Sequence, residues 1–355
     1  PARFGAEKRL FHGERNHLRS AEHGAGRLQK RGKKIILPPE RPPQRHHALV
    51  LSGAEPVYVN PEMNHKLGIA LGMSVAQVEK AILENPSAKA VLVNNPTYYG
   101  VCSNLRAITE LAHRHNMLVL ADEAHGTHFY FGENMPPAAM RAGADMASVS
   151  MHKSGGSLTQ SSLLLTGKNV NPGYVSQIIN LTQTTSASYL LLSSLDISRR
   201  NLALNGKEIF KKVTDMAQYA RDEINAIGDY YAYSREIVNG DSVFDFDVTK
   251  LSIHTLDIGL AGIEVYDILR DEYDIQVEFG DLGNILAYVS VGDRVRDLER
   301  LVSALQEIRR RFKRGRGGML SQEYISPQVA ATPPGGFLCG KGIFAAERKR
   351  GPGMQ

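Results

Sequence analysis

The chain has 355 residues, 42% hydrophobic and 22% charged, enough for a sizeable core in one large or two ordinary domains. Cys102 and Cys339 are its two cysteines, which speaks against a disulfide framework and for a reducing, cytoplasmic setting; no apolar run is long enough for a membrane span, and no signal-peptide core precedes the body. The net charge of +5 sits at the ends, with 12 Lys/Arg against 4 Asp/Glu over residues 1–47 and 4 against 1 over 333–355, so the body is mildly acidic and a nucleic-acid face is not expected.

Taken in chain order, the body alternates strands and helices. "AEPVYVN" (54–60) reads as a strand, and "SVAQVEKAILEN" (74–85) as a helix capped by Ser74. "AKAVLVNN" (88–95) is a continuous apolar strand leading into the turn "PTYYG". "SNLRAITELAHRHN" (103–116) is a helix capped at Ser103 or nearby. "MLVLADEAHG" (117–126) and "DMASVSMHK" (145–153) are further buried strands. Apolar strands separated by helices of this length predict right-handed βαβ units and a mostly parallel sheet. Ligands of such sheets bind at the carboxyl ends of the strands, where the polar clusters Asp122–His128 and Ser148–Ser162 fall. Residues 188–227 read as long helix, broken near Asn205–Gly206. Beyond it, strands at 241–251 and 284–292 and amphipathic helices at 262–275 and 295–312 predict a smaller α+β unit. The basic run at 309–316 reads as a solvated helix end.

Lys153 is the residue that asks for chemistry. It stands in "SVSMHKSGGSLTQSS" (148–162), among short hydroxyl side chains at the ligand edge of the sheet. An uncharged lysine amine can attack an aldehyde and form a Schiff base, and pyridoxal phosphate is the common aldehyde partner. That cofactor needs donors for its phosphate, which Ser150 and His152 can supply. Its pyridine nitrogen needs a buried carboxylate, and Asp122 ends its strand in a suitable place. His125 can meet the cofactor's phenolic oxygen or a substrate carboxylate. No metal site is expected.

"DEAHGTH" followed by "SVSMHKSGGSLTQSS" resembles the Orn/Lys/Arg decarboxylases of the aspartate-aminotransferase fold, the fold type I pyridoxal-phosphate enzymes, over roughly residues 48–332. The resemblance implies an α/β large domain with a mostly parallel sheet (1–210), a smaller α+β domain (211–332) and a homodimer or higher oligomer. It implies Lys153 as the Schiff-base lysine, Asp122 as the pyridine-nitrogen partner, and Ser150 and His152 as phosphate ligands. "TQTTSASYLLLSSLD" (182–196) lies at the dimer interface in that family, which points to Thr184 and Ser186 as contacts to the neighbouring subunit's phosphate. The implied reaction is decarboxylation of a basic amino acid, arginine before lysine before ornithine. An aminotransferase or another fold type I activity is the alternative within the fold; an inactive, cofactor-free subunit or pseudogene product is the alternative outside catalysis.

Two family elements are not printed before residue 50: a phosphate loop of the kind "NGTTS" and a ring-stacking histidine within "RNVHRSA". Residues 11–31 and 39–47 are instead rich in Arg, His and Pro. Reading permitted codons one nucleotide later turns residues 11–29 into "FMVNGTTSEALNMVLAACK" and 39–47 into "RNVHRSAIT". The same shift over 336–354 yields "AFYAEKESLPLKESEGRVC". A frame error therefore accounts for all three segments, better than a divergent basic arm does. It puts Pro42 where the stacking histidine belongs, makes 333–355 a spurious tail and implies a further C-terminal domain. The chain also begins without Met, so it is expected to start inside a longer protein.

Overall fold

The computed structural model describes residues 8–12, 33–39, 48–49, 51–183 and 186–313. The expected out-of-frame segments lie almost wholly outside these residues, as do Pro42 and the tail. Seven strands form the main sheet: β1 (Lys8–His12), β2 (Lys34–Leu37), β3 (Glu55–Tyr58), β4 (Ala90–Asn94), β5 (Leu118–Glu123), β6 (Met146–Val149) and β7 (Ser162–Thr166). Their spatial order is β1-β7-β6-β5-β4-β2-β3. From β3 to β6 all neighbours run parallel, while β7 is antiparallel to both β6 and β1. Strands β4 to β7 are buried along nearly their whole length, as a sheet covered on both faces requires.

Helices α1 (Val75–Glu84) and α2 (Leu105–Arg114) form the first crossovers. The Ser74 hydroxyl caps α1 by accepting from the Gln77 amide, while Asn104 rather than Ser103 caps α2, accepting from the Ala107 amide. The expected strand at 145–153 is shorter: β6 stops at Val149, and Met151–Ser154 forms one helical turn, α3. Two backbone bonds close that turn, Lys153 N–H to Ser150 O at 3.2 Å and Gly155 N–H to Met151 O at 2.9 Å. Lys153 thus leaves the sheet on a helical turn, not on a strand.

Helix α4 (Pro172–Thr182) precedes α5, which runs unbroken from Tyr189 to Ile227. The expected break at Asn205–Gly206 is absent because Gly206 serves packing. A Cβ there would meet Phe131 Cβ at 2.8 Å, so glycine lets the helix lie directly on that ring's backbone. The boundary expected between residues 210 and 211 falls inside this helix.

Beyond α5, β8 (Tyr231–Tyr233), β9 (Lys250–His254), β10 (Phe279–Gly280) and β11 (Asn284–Tyr288) form an antiparallel sheet in the order β8-β9-β11-β10. Helices α6 (Gly262–Tyr273) and α7 (Val295–Phe312) flank it. The expected strand over 241–251 is divided instead. Asp245–Phe246 pairs with Val101–Cys102 of the main body, and a turn at Asp247 separates it from β9. The Asp247 carboxylate closes that turn by accepting from the Thr249 amide at 3.1 Å and its hydroxyl at 2.7 Å.

Candidate active site

The carboxyl ends of β4, β5 and β6 bring Asn94, Asp122 and Ser148 into one register row. Side chains in register share a face of the sheet. Asp122 is buried and accepts from the Ala124 amide at 3.2 Å. The Ser148 hydroxyl is buried with no hydrogen-bond partner, and the same holds for His125 Nδ1 and the Ser154 hydroxyl. Unsatisfied buried polar atoms are costly. Three of them grouped around Asp122 and Lys153 at a strand edge fit a site built for a polar ligand.

Lys153 Nζ lies 3.0 Å from His125 Nε2, and the Lys153 side chain is exposed. The turn after β4 covers His125 from outside: the Tyr98 ring is 4.5 Å from the imidazole, and its hydroxyl donates to Glu278 Oε1 at 2.8 Å. Burial pushes His125 well below the usual imidazole range, assisted by the charges of Lys250 and Lys153 and then by His128 and His152. The ring is therefore neutral at pH 7, and its Nε2 can accept from the lysine.

The hydroxyl-rich stretch divides by role. Ser150 is buried, and its carbonyl accepts from the Thr127 hydroxyl at 3.0 Å, which ties the β6 end to the 3-10 turn Thr127–Tyr130. His152 Nδ1 meets the Ser161 carbonyl at 2.9 Å. A carbonyl only accepts, so Nδ1 carries a proton, and Nε2 can donate to an anion when the ring is doubly protonated. Later hydroxyls hold the loop itself. Ser157 and Ser161 pair with each other, Ser161 donates to the Leu158 carbonyl at 2.6 Å, and Ser194 of α5 accepts from the Leu158 amide at 2.8 Å. Ser198 of α5 donates to the Gly155 carbonyl. Gly156 has φ of +80°, where a side chain would be strained. So the motif is dense in hydroxyls because a tight loop carrying Lys153 must be fastened to α5.

Thr184 lies outside the described residues, and Ser186 is exposed on the segment ahead of α5. Among the described residues, no group of three or more His, Cys, Asp or Glu is arranged to hold a metal ion.

Several residues that sequence reading passed over stand around this edge. Tyr98 belongs to the "PTYYG" turn, which follows a buried strand at the same edge, so the strand-end rule could have found it. Glu123, next to Asp122, is fully buried and accepts from the Tyr130 hydroxyl at 2.5 Å and the Ala139 amide at 2.7 Å. Burial raises its carboxyl to about 8, against the pull of those donors. His128 Nε2 lies 3.0 Å from Asp247 Oδ1, both buried. Burial alone would raise Asp247; His128, Lys250 and Thr249 outweigh it and hold the carboxyl at about 2. Lys250 completes this buried group, and no local sequence signal distinguishes it from an ordinary strand lysine.

The family described as Orn/Lys/Arg decarboxylase, major domain, matches residues 27–297. The chain belongs to this family. It is 46% identical over 289 residues to an arginine decarboxylase of Halalkalibacterium halodurans, covering 80% of this chain and 58% of that protein. It is 40% identical over 324 residues to an arginine decarboxylase of Bacillus cereus, covering 90% of this chain and 70% of the relative. Among solved structures, a lysine decarboxylase of Francisella novicida superposes with a TM-score of 0.73 at 20% identity, over 87% of this chain and 49% of the other. That likeness shows the fold, the fold type I architecture expected from the sequence. The chain thus spans little more than half the length of the first of these relatives.

Proposed function

We propose that the chain carries the large domain and part of the remainder of a pyridoxal-phosphate-dependent decarboxylase of basic amino acids, with arginine preferred over lysine and lysine over ornithine. One observation carries the reading: Lys153 Nζ is held 3.0 Å from a neutral His125 at the strand edge that ends in Asp122. The arginine decarboxylases among the relatives favour arginine.

Pyridoxal phosphate, when bound, supplies an aldehyde and an electron-accepting ring. Lys153 is the amine placed to bind that aldehyde covalently. Asp122, at the buried end of β5, favours a proton on the ring nitrogen by its negative charge. Ser150 and His152 at the start of α3 are the phosphate donors, with Thr184 and Ser186 of a second subunit assigned to the same group. His125 is the group for the cofactor's phenolic oxygen or the substrate carboxylate, within reach of Lys153 at 3.0 Å. Glu278, exposed at the mouth beyond Tyr98, adds negative charge suited to a cationic substrate.

A second copy of the chain is the partner proposed. Leu181, Tyr189, Leu190, Ile197 and Leu204 are all at least two-thirds exposed along the end of α4 and the first half of α5, an apolar concentration that a soluble surface seldom leaves uncovered. The scarcity of cysteine supports a cytoplasmic place, and among the described residues no helix is long and apolar enough to cross a membrane.

An aminotransferase would need an arginine for the substrate carboxylate from the smaller unit. Arg221 is buried but spends its guanidinium on the carbonyls of Tyr233, Val248 and Lys250. The deciding experiment titrates pyridoxal phosphate into the printed chain and a frame-corrected one, then assays arginine, lysine and ornithine. Amine with CO2 is expected from the corrected chain; keto acid as product would overturn the reading. Equally tight cofactor uptake by the two chains would overturn the frame-error account.

A further inference from the structure

Among the described residues, neither ring nitrogen of His125 is anchored to the backbone or to the core. Nδ1 is buried without a hydrogen-bond partner, and Nε2 meets the tip of Lys153, an exposed side chain. The outer torsion of a histidine is broad, so hydrogen bonds of its own do not fix this ring. What lies against it is Tyr98, with ring centroids 4.5 Å apart and planes inclined at 59°.

Tyr98 is itself held at three points. Its stem belongs to a closed turn: the Thr97 amide donates to the Val101 carbonyl at 2.8 Å, the Val101 amide to the Thr97 hydroxyl at 3.1 Å, and the Gly100 amide to the Thr97 carbonyl at 3.0 Å. Its hydroxyl donates to Glu278 Oε1 at 2.8 Å, and its ring meets the Phe279 ring edge-on at 5.3 Å. The neighbouring Tyr99 fastens the same turn to the same strand. Its ring meets Phe279 at 5.6 Å, its hydroxyl donates to Asp281, and that carboxylate accepts from the Gly283 and Asn284 amides at 2.8 and 2.7 Å. Tyr99 packs on a buried cluster, whereas Tyr98 remains 42% exposed. Apolar burial therefore accounts for Tyr99 but gains little at Tyr98, whose ring is nonetheless pinned against the imidazole.

We propose that Tyr98 is a positioning residue: its ring, held from the smaller sheet by Glu278 and Phe279, sets the orientation in which His125 Nε2 meets Lys153 Nζ. The inference rests on the decarboxylase reading for the use of that pair in catalysis; the placement of the ring stands apart from it. An aromatic neighbour at this separation orients a second ring without occupying either of its nitrogens. The anchor at Glu278 is 180 residues further along the chain than Tyr98, so the Lys153–His125 contact is completed by the smaller sheet.

The test labels histidine Cε1 with ¹³C in the full chain without cofactor, the His125 signal being identified by its loss in His125→Gln. Tyr98 is exposed, so replacing it leaves the core intact. The ring current of Tyr98 is expected to displace the His125 signal; Tyr98→Leu should move it, and Tyr98→Phe, which keeps the ring, should leave it near its place. In the frame-corrected chain, with cofactor and the amino acid it turns over, Tyr98→Leu is expected to lower kcat by about 10²-fold with KM changed far less, the cost of a misplaced group. Tyr98→Phe should restore most of that rate. A His125 signal unmoved by Tyr98→Leu overturns the proposal, as does a moved signal with kcat unaltered, or a Tyr98→Phe chain as slow as Tyr98→Leu. A frame-corrected chain that releases no CO2 from arginine, lysine or ornithine, while the signal moves as expected, breaks the decarboxylase reading and leaves the placement of His125 by Tyr98 standing.

Discussion

Two lysines near the same strand edge stand in opposite surroundings. Lys153 is exposed on a single helical turn, in contact with His125 and framed by hydroxyls that fasten its loop to α5. Lys250 is sealed between Tyr288 and Asp247 with no hydrogen-bond partner. Burial lowers Lys250 to about 8, although Asp247 pulls the other way. The contrast separates two uses of one side chain. A lysine that bonds to a ligand must be reachable and mobile at its tip. A lysine sealed from water is out of reach of a ligand and meets only the ring and carboxylate packed against it. The neighbouring acids differ too: Asp122 shares a register row with Asn94 and Ser148 at the strand ends, while Glu123 is wholly buried and bonded to Tyr130.

The largest effect should come from the exposed lysine. Lys153→Ala is expected to abolish both the visible absorbance of bound cofactor and CO2 release, while leaving the thermal midpoint within a few degrees, since no core contact is lost. Retained absorbance and turnover would make Lys153 a loop residue and erase the contrast. Asp122→Asn should come next. The amide cannot hold the ring proton, so turnover should fall by ~10²–10⁴ with cofactor still bound. A variant within about threefold of the original would assign ring protonation to another group.

Replacing the buried lysine should have the opposite sign on stability. Lys250→Met removes an ammonium that the fold keeps charged at a penalty, because its folded value of about 8 lies below the ordinary lysine range. Between pH 8 and about 10.4 the unfolded chain binds the extra proton, so the original chain gains stability as pH rises through that window. The variant should therefore be more stable by about 3 kcal/mol at pH 7, with the gap closing near pH 10 in urea titrations at both pH values. A less stable variant at pH 7 would mean that the attraction of Asp247 outweighs the cost of burying the ammonium. A pH-dependent effect of the opposite slope is expected from Glu123→Gln. The Glu123 carboxyl, raised to about 8, contributes stability that is fully present below about pH 4.3 and lost as pH rises through 8. The glutamine chain should gain on the original steadily as pH rises from about 4.3 towards 8, and level off above that. Parallel pH curves would show that Glu123 is ionised in the fold.

Much of the main sheet was legible because continuous apolar runs such as "AVLVN" and "LVLADE" have no other economical burial. Helix α7 matches its expected range, Val295–Phe312, since its apolar and charged residues alternate with helical period. The strand β7 was missed because "SLLLT" follows directly on a polar cluster, and the cluster dominated the reading. The division at Asp247 was missed because the carboxylate's bonds to Thr249 and His128 are side-chain events that a strand pattern does not reveal.

By itself, the sequence determined the alternation of strands and helices, the polar strand ends, the family, and Lys153 as the residue of interest. Each rests on local pattern, periodicity or a contiguous motif. Only the tertiary structure decided that Lys153 leaves the sheet on a helical turn against His125, that α5 continues past Gly206 onto Phe131, and that Lys250, Asp247 and His128 share one dry pocket. His128 and Asp247 are 119 residues apart in sequence. Their meeting follows from how the smaller sheet packs on the ends of the larger one, and burial, not residue type, then determines which charges are screened and which are felt.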